Sequence, residues 1–234
     1  MVTHSLTLGS AFNHLADDTE ETLGGSSMHW DAIVEAYQSL RRHRRRFDLP
    51  WFIGDQFKMV IPREGGRPPY QPSPDLLVHP TLGTGDRASL SVAREGPPAL
   101  VIEVVSPATG LSNDLRLDYP AGKPMAYAAI GVNEYLTFDP LGDIIPEQIR
   151  AWRLGPANVY IPWEADSAWR WVSDLGVSFA PQGLRLRVFD AEGEAIPRYE
   201  ELDDLVDDLT GTVAAQEREL AEMREALRRA RGEG

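Results

Sequence analysis

The chain has 234 residues, of which 42% are apolar and 25% charged, and it carries a net charge of -13. That length and balance suit one globular domain of good size, or one domain with an appendage. They exclude a membrane span, since no run of about 18 apolar residues exists, disulfides and thiolate zinc sites, since there is no cysteine, and a non-specific nucleic-acid coat, since the charge has the wrong sign.

Residues 1–27 show no firm periodicity and end in Gly24-Gly25-Ser26-Ser27, so they read as a flexible leader. The N-terminus lacks the charged start and apolar stretch of a signal peptide, so a cytoplasmic location is the expectation. Helical spacing of Ile33, Val34, Tyr37 and Leu40 predicts a helix over Asp31–Arg46. Its last turns hold Arg41, Arg42, Arg44, Arg45 and Arg46. These arginines are candidates for phosphate contacts, each of which would make nucleic-acid binding more salt-sensitive. A solvated helix end that complements the dipole explains them equally well.

Short strands and turns follow. Strands are predicted at Trp51–Pro62, Pro74–His79, Ala99–Val105, Glu134–Asp139, Ile149–Leu154, Val159–Trp163 and Leu184–Phe189, with turn signals such as Gly96-Pro97-Pro98 between them. A second helix is predicted over Pro124–Ile130, with proline suited to its start and Gly131 to its stop. This order implies an α/β or α+β domain over residues 28–196 with a mixed sheet.

The segment from 197 to 234 differs. Leu202, Val206, Leu209, Val213, Gln216, Leu220, Met223 and Leu227 alternate spacings of four and three, which is a heptad seam with one polar position. A coiled coil that pairs two or more copies is the expectation; an amphipathic helix folded back on the domain is the alternative. Gly211 would weaken the helix locally.

Two acids stand out. Asp75 opens the apolar run Leu76-Leu77-Val78, and Glu103 interrupts Leu100–Val105. A charge within a buried strand is costly unless something pairs with it. A divalent cation is one such partner, and converging carboxylates suit Mg²⁺. Solvated carboxylates at strand ends are the other reading, stronger for Asp75 than for Glu103. Lysine is scarce: of 23 basic side chains only Lys58 and Lys123 are lysines. The five histidines show no paired spacing for zinc.

The order Pro74-Asp75, then Glu103-Val104-Val105-Ser106-Pro107, then Asp114, Lys123 and Tyr127, then Gly131-Val132-Asn133-Glu134-Tyr135 and a strand ending Asp139-Pro140 resembles the Uma-type restriction-endonuclease family. That family belongs to the PD-(D/E)XK nuclease superfamily. The similarity runs from about Trp30 to Asp190 and includes Gly183-Leu184-Arg185-Leu186. The resemblance implies a restriction-endonuclease-like core with helices flanking a mixed sheet, and a metal-dependent endonuclease acting on DNA, in defence against foreign DNA. It implies Asp75 and Glu103 as catalytic ligands of Mg²⁺ (or Mn²⁺). The superfamily's lysine two residues after the glutamate is replaced here by Val105, and the resemblance assigns the catalytic lysine to Lys123, four residues before Tyr127. Asp114 would stand near the metal or behind its ligands, with Asp118 as an alternative, and Glu35 would be a helix-borne acid turned toward the site. A homodimer or higher homo-oligomer would address two strands. A regulatory protein gripping the acidic tail is a further partner to consider. The rival function is a nuclease-fold scaffold without activity, and RNA as substrate stays open.

Overall fold

The computed structural model describes residues 27–63, 65, 67–105, 114–118 and 122–232. The leader expected over 1–27 therefore lies outside the described residues, except for Ser27. The chain divides into two units, Met1–Ile196 and Pro197–Gly234.

In the first unit, α1 spans Ser27–Arg46. Its buried stripe is Ala32, Ile33, Ala36 and Leu40, with Tyr37 packed alongside, whereas Val34 is exposed. The strand expected over Trp51–Pro62 is two strands, β1 (Phe52–Asp55) and β2 (Met59–Val60). Gln56 breaks it at a φ of +45°. Gly54 permits the break, because a Cβ there would meet the Phe57 Cβ at 2.5 Å. β3 (Leu76–His79), β4 (Leu90–Ser91), the single-turn α2 (Val92–Glu95) and β5 (Leu100–Val104) follow. Then come α3 (Lys123–Ile130), β6 (Glu134–Phe138), β7 (Ile149–Leu154), β8 (Tyr160–Pro162), β9 (Trp171–Val172), β10 (Ser178–Gln182) and β11 (Arg185–Phe189).

Six strands form the central sheet in the order β1-β3-β5-β6-β7-β8. It is mixed: β5 and β6 are parallel and every other neighbour is antiparallel. The parallel pair requires a crossover, and α3 lies within it. A three-stranded sheet, β11-β10-β9, and the small parallel pair β2-β4 complete the unit. This is the α/β architecture with a mixed central sheet and flanking helices that the sequence implies.

Side chains alternate across the central sheet and divide the core in two. Leu100, Ile102 and Val104 of β5 join Ile33 and Leu40 of α1 and Phe179, Leu186 and Val188 of the second sheet. Val101 of β5 joins Leu77, Tyr127 of α3, Tyr135 and Trp152. Glu103, next in the odd-numbered series, shares the face covered by α3.

In the second unit, α4 runs unbroken from Tyr199 to Ala230, through Gly211. The Glu201 carboxylate accepts a hydrogen bond from the Arg198 amide at 2.8 Å and so closes its first turn. Val206, Leu209, Val213, Leu220, Met223 and Leu227 are all about half exposed. Among the described residues no helix is long and apolar enough to cross a membrane.

Candidate active site

β3 and β5 bring the two sequence-predicted acids together. Leu76 is paired with Ile102, so Asp75, one residue earlier, falls beside Glu103. The Asp75 amide lies 3.4 Å from Glu103 Oε2, and the Val104 amide donates to Asp75 Oδ2 at 2.8 Å. The second bond has a simple cause. The β3 ladder stops at Leu76, and the Asp75 side chain takes the Val104 amide that the ladder leaves over.

α3 supplies the next two groups. Lys123 and Tyr127 are four residues apart and share one helix face. The Tyr127 hydroxyl donates to Glu103 Oε1 at 2.7 Å, and the Lys123 ammonium lies 3.3 Å from Glu103 Oε2. Lys123 is the first residue of α3, one earlier than the predicted helix start, and from there it reaches Glu103. Val105, two residues after Glu103, is buried.

Asp114 completes the cluster. It is 1% exposed, and its Oδ1 lies 3.3 Å from the Lys123 ammonium. Its carbonyl accepts a hydrogen bond from the Tyr135 hydroxyl at 2.8 Å. Tyr135 was not singled out as a site residue from sequence. The available signal was a tyrosine within a predicted strand, whose hydroxyl needs a partner when buried. Tyr135 stacks on Trp152 and Tyr160 and touches Tyr127, so the floor of the site is a rigid aromatic layer.

The electrostatics follow from burial. Glu103 is 1% exposed, and its pKa is pushed up to about 8. Desolvation is the largest cause; Lys123 and the Tyr127 hydrogen bond oppose it, while Asp75 and Asp114 add like charge. Burial likewise holds the Tyr127 and Tyr135 phenols far above their usual range, Tyr127 with the neighbouring Glu103 charge as the next cause. Both therefore stay protonated and act as donors.

Other candidates are placed elsewhere. Glu35 pairs with Arg185 of β11 at 2.9 Å, among the elements that pack on the opposite face of the sheet. Asp118 is exposed and pairs with Arg116 at 3.1 Å. The arginine cluster sits beside Trp51, since Arg44 donates to the Trp51 carbonyl at 3.3 Å and His43 stacks on the Trp51 ring. Trp51 precedes Phe52, which pairs with His79, the end of β3 remote from Asp75. The cluster is thus a strand length, roughly 13 Å, from the acids. Within it, Arg41 lies over Tyr37, Arg46 lies 3.8 Å from Asp190, Arg42 is half-buried and Arg45 is exposed.

A model of the Uma2 family, described as "Putative restriction endonuclease", matches residues 18–211, and the chain belongs to that family. A solved structure described as "a putative nuclease belonging to DUF820" from Anabaena variabilis is similar over 77% of this chain and 76% of its own length. Its sequence identity is 12% and its TM-score 0.41. No curated protein matches the chain.

Proposed function

We propose that this protein is a metal-dependent endonuclease that hydrolyses DNA phosphodiester bonds, with Asp75 and Glu103 as metal ligands and Lys123 as the catalytic cation. The observation that carries the reading is the meeting of half-buried Asp75 and Lys123 with buried Glu103, from three separate stretches of the chain. Family membership supplies the substrate class.

The residues fit a hard cation. Asp75 and Glu103 offer only oxygen, as Mg²⁺ or Mn²⁺ prefers. Among the described residues no group of three His, Asp or Glu side chains could hold an ion by itself. Mg²⁺ does not need one, since it usually takes one or two carboxylates and keeps several waters. When bound, such an ion polarises a phosphoryl oxygen and lowers the pKa of its water. Lys123 places a fixed positive charge beside the point where negative charge develops on the phosphate. Tyr127 holds Glu103 by Oε1 and so fixes where Oε2 points. A cation also offsets the like charge of Asp75 and Asp114 around Glu103.

In the second unit the exposed heptad positions of α4 would pair two copies, bringing two active sites to one duplex. The nuclease reading is tested by incubating the protein with labelled DNA and RNA duplexes and single strands, with Mg²⁺, Mn²⁺ or EDTA. DNA cleavage that needs the metal is expected. Absence of cleavage under all these conditions would favour a scaffold role.

A further inference from the structure

The two oxygens of Glu103 do different work. Oε1 is taken by the Tyr127 hydroxyl at 2.7 Å, in a fully buried bond. Oε2 faces the Asp75 amide at 3.4 Å and the Lys123 ammonium at 3.3 Å. Oε2 is therefore the oxygen that a cation shared with Asp75 would use, and the ammonium already stands on it. A compact ammonium and a divalent ion repel strongly at such range in a buried site. Lys123 has a second carboxylate within reach, Asp114 Oδ1, also at 3.3 Å. Asp114 is buried, and the Tyr135 hydroxyl pins its main chain. That second contact point is fixed, whereas the lysine stem is flexible.

We propose that Asp114 is a positioning residue: it retains the Lys123 ammonium when Lys123 yields Glu103 Oε2 to the divalent cation. In the metal-free protein the Lys123 ammonium lies between Glu103 Oε2 and Asp114 Oδ1, 3.3 Å from each. With the ion bound, Lys123 rests on Asp114 and stays beside the reacting phosphate instead of swinging into solvent. The inference rests on the metal-dependent reading given above and deepens it.

Mn²⁺ affinity of the full chain, read by electron paramagnetic resonance without DNA, tests this apart from activity. Glu103→Gln should abolish specific binding. Lys123→Met should tighten binding about tenfold, the size of one lost charge-assisted contact. Asp114→Asn should weaken binding in the chain that has Lys123, because the ammonium then stays on Glu103, and should change nothing in the Lys123→Met background. Equal weakening in both backgrounds would make Asp114 a direct ligand and overturn the proposal. So would unchanged or weaker binding in Lys123→Met. No Mn²⁺ binding by any variant sinks the metal-dependent reading itself, whereas binding that is lost in Glu103→Gln yet indifferent to Lys123 sinks only this inference. A measurement on the unsubstituted site guards against misfolded variants. With only two lysines in the chain, the ¹⁵N-lysine signal of Lys123 is assigned by Lys58→Arg; Mg²⁺ should move it and leave that of Lys58 in place. An unmoved Lys123 signal in protein that binds Mg²⁺ would contradict the exchange.

Discussion

Two glutamates are buried to the same degree in this molecule, and they differ in the charges that stand beside them. Glu103 of β5 and Glu134 of β6 are each 1% exposed, and burial raises the pKa of both. Glu134 is surrounded by donors: the Ser173 hydroxyl, the Asp174 amide at 2.9 Å and the Arg153 guanidinium at 3.1 Å. Arg153 in turn meets Asp174 at 3.4 Å and lies over the Trp163 ring. This network ties the central sheet to the β9–β10 turn. Glu103 has donors too, the Tyr127 hydroxyl, the Lys123 ammonium and the Asp75 amide, but two further carboxylates, Asp75 and Asp114, stand beside it. A buried acid matched by donors is a structural joint. A buried acid with other acids beside it is where, on the proposed reading, a cation would bind.

Substitutions that exchange the two roles should break the comparison if it is wrong. The largest expected effect is on activity: Glu103→Gln should lower DNA cleavage by at least about a hundredfold while the fold persists, because one metal ligand is lost. Lys123→Ala should cost about a hundredfold as well, by removing the fixed charge beside the phosphate. Glu134→Ala should do the reverse. It takes the carboxylate away from Ser173 and Arg153, and a loss of about 2 kcal/mol is expected in urea unfolding, tempered because Arg153 is 36% exposed and keeps Asp174. Cleavage per folded molecule should not change.

A smaller effect concerns pH. Folded Glu103 holds its proton up to about pH 8, whereas the unfolded residue releases it near its ordinary value of 4.5. Its contribution to stability is therefore whole below about pH 4.5 and is lost as pH rises toward 8. The metal-free protein should melt at progressively lower temperature across that window, and Glu103→Gln should flatten the slope. Glu134 titrates in the same direction and accounts for part of what remains. Adding Mg²⁺ should raise the melting temperature most at the alkaline end, where Glu103 is ionised. The smallest effect sharpens the role of the aromatic floor: Tyr127→Phe should cost about 1–2 kcal/mol and reduce cleavage without abolishing it, since Oε1 loses the Tyr127 hydroxyl but Asp75 and Lys123 stay.

In the second unit the test is simpler. If α4 pairs copies of the chain, ending it at Ile196 should halve or further reduce the mass measured by light scattering. An unchanged mass would remove the coiled-coil reading.

Local chemistry made much of this legible. The apolar run of β5 and the proline and glycine at either end of α3 mark those elements directly in the sequence, and the carboxylate within β5 marks the candidate site. Other parts needed the tertiary structure. β10 contains Pro181, which argues against a strand; it is tolerated because β9 pairs only with Ser178 and Phe179, leaving Pro181 bonded on one side. The reach of Lys123 depends on the path between β5 and α3, which no periodicity encodes. Glu35 illustrates the converse limit. Helical spacing can tell which face of α1 is buried, but not that β11, from the far end of the domain, supplies Arg185 to hold it.

The central claim is that the Glu103 cluster, and not the Glu134 network, carries the chemistry. Nicking of supercoiled plasmid in Mg²⁺ or Mn²⁺ tests it most directly, with wild type, Glu103→Gln, Lys123→Ala and Glu134→Gln compared at equal concentrations of folded protein. The account predicts nicking by wild type and Glu134→Gln and almost none by the other two. Equal nicking by all four proteins would contradict it.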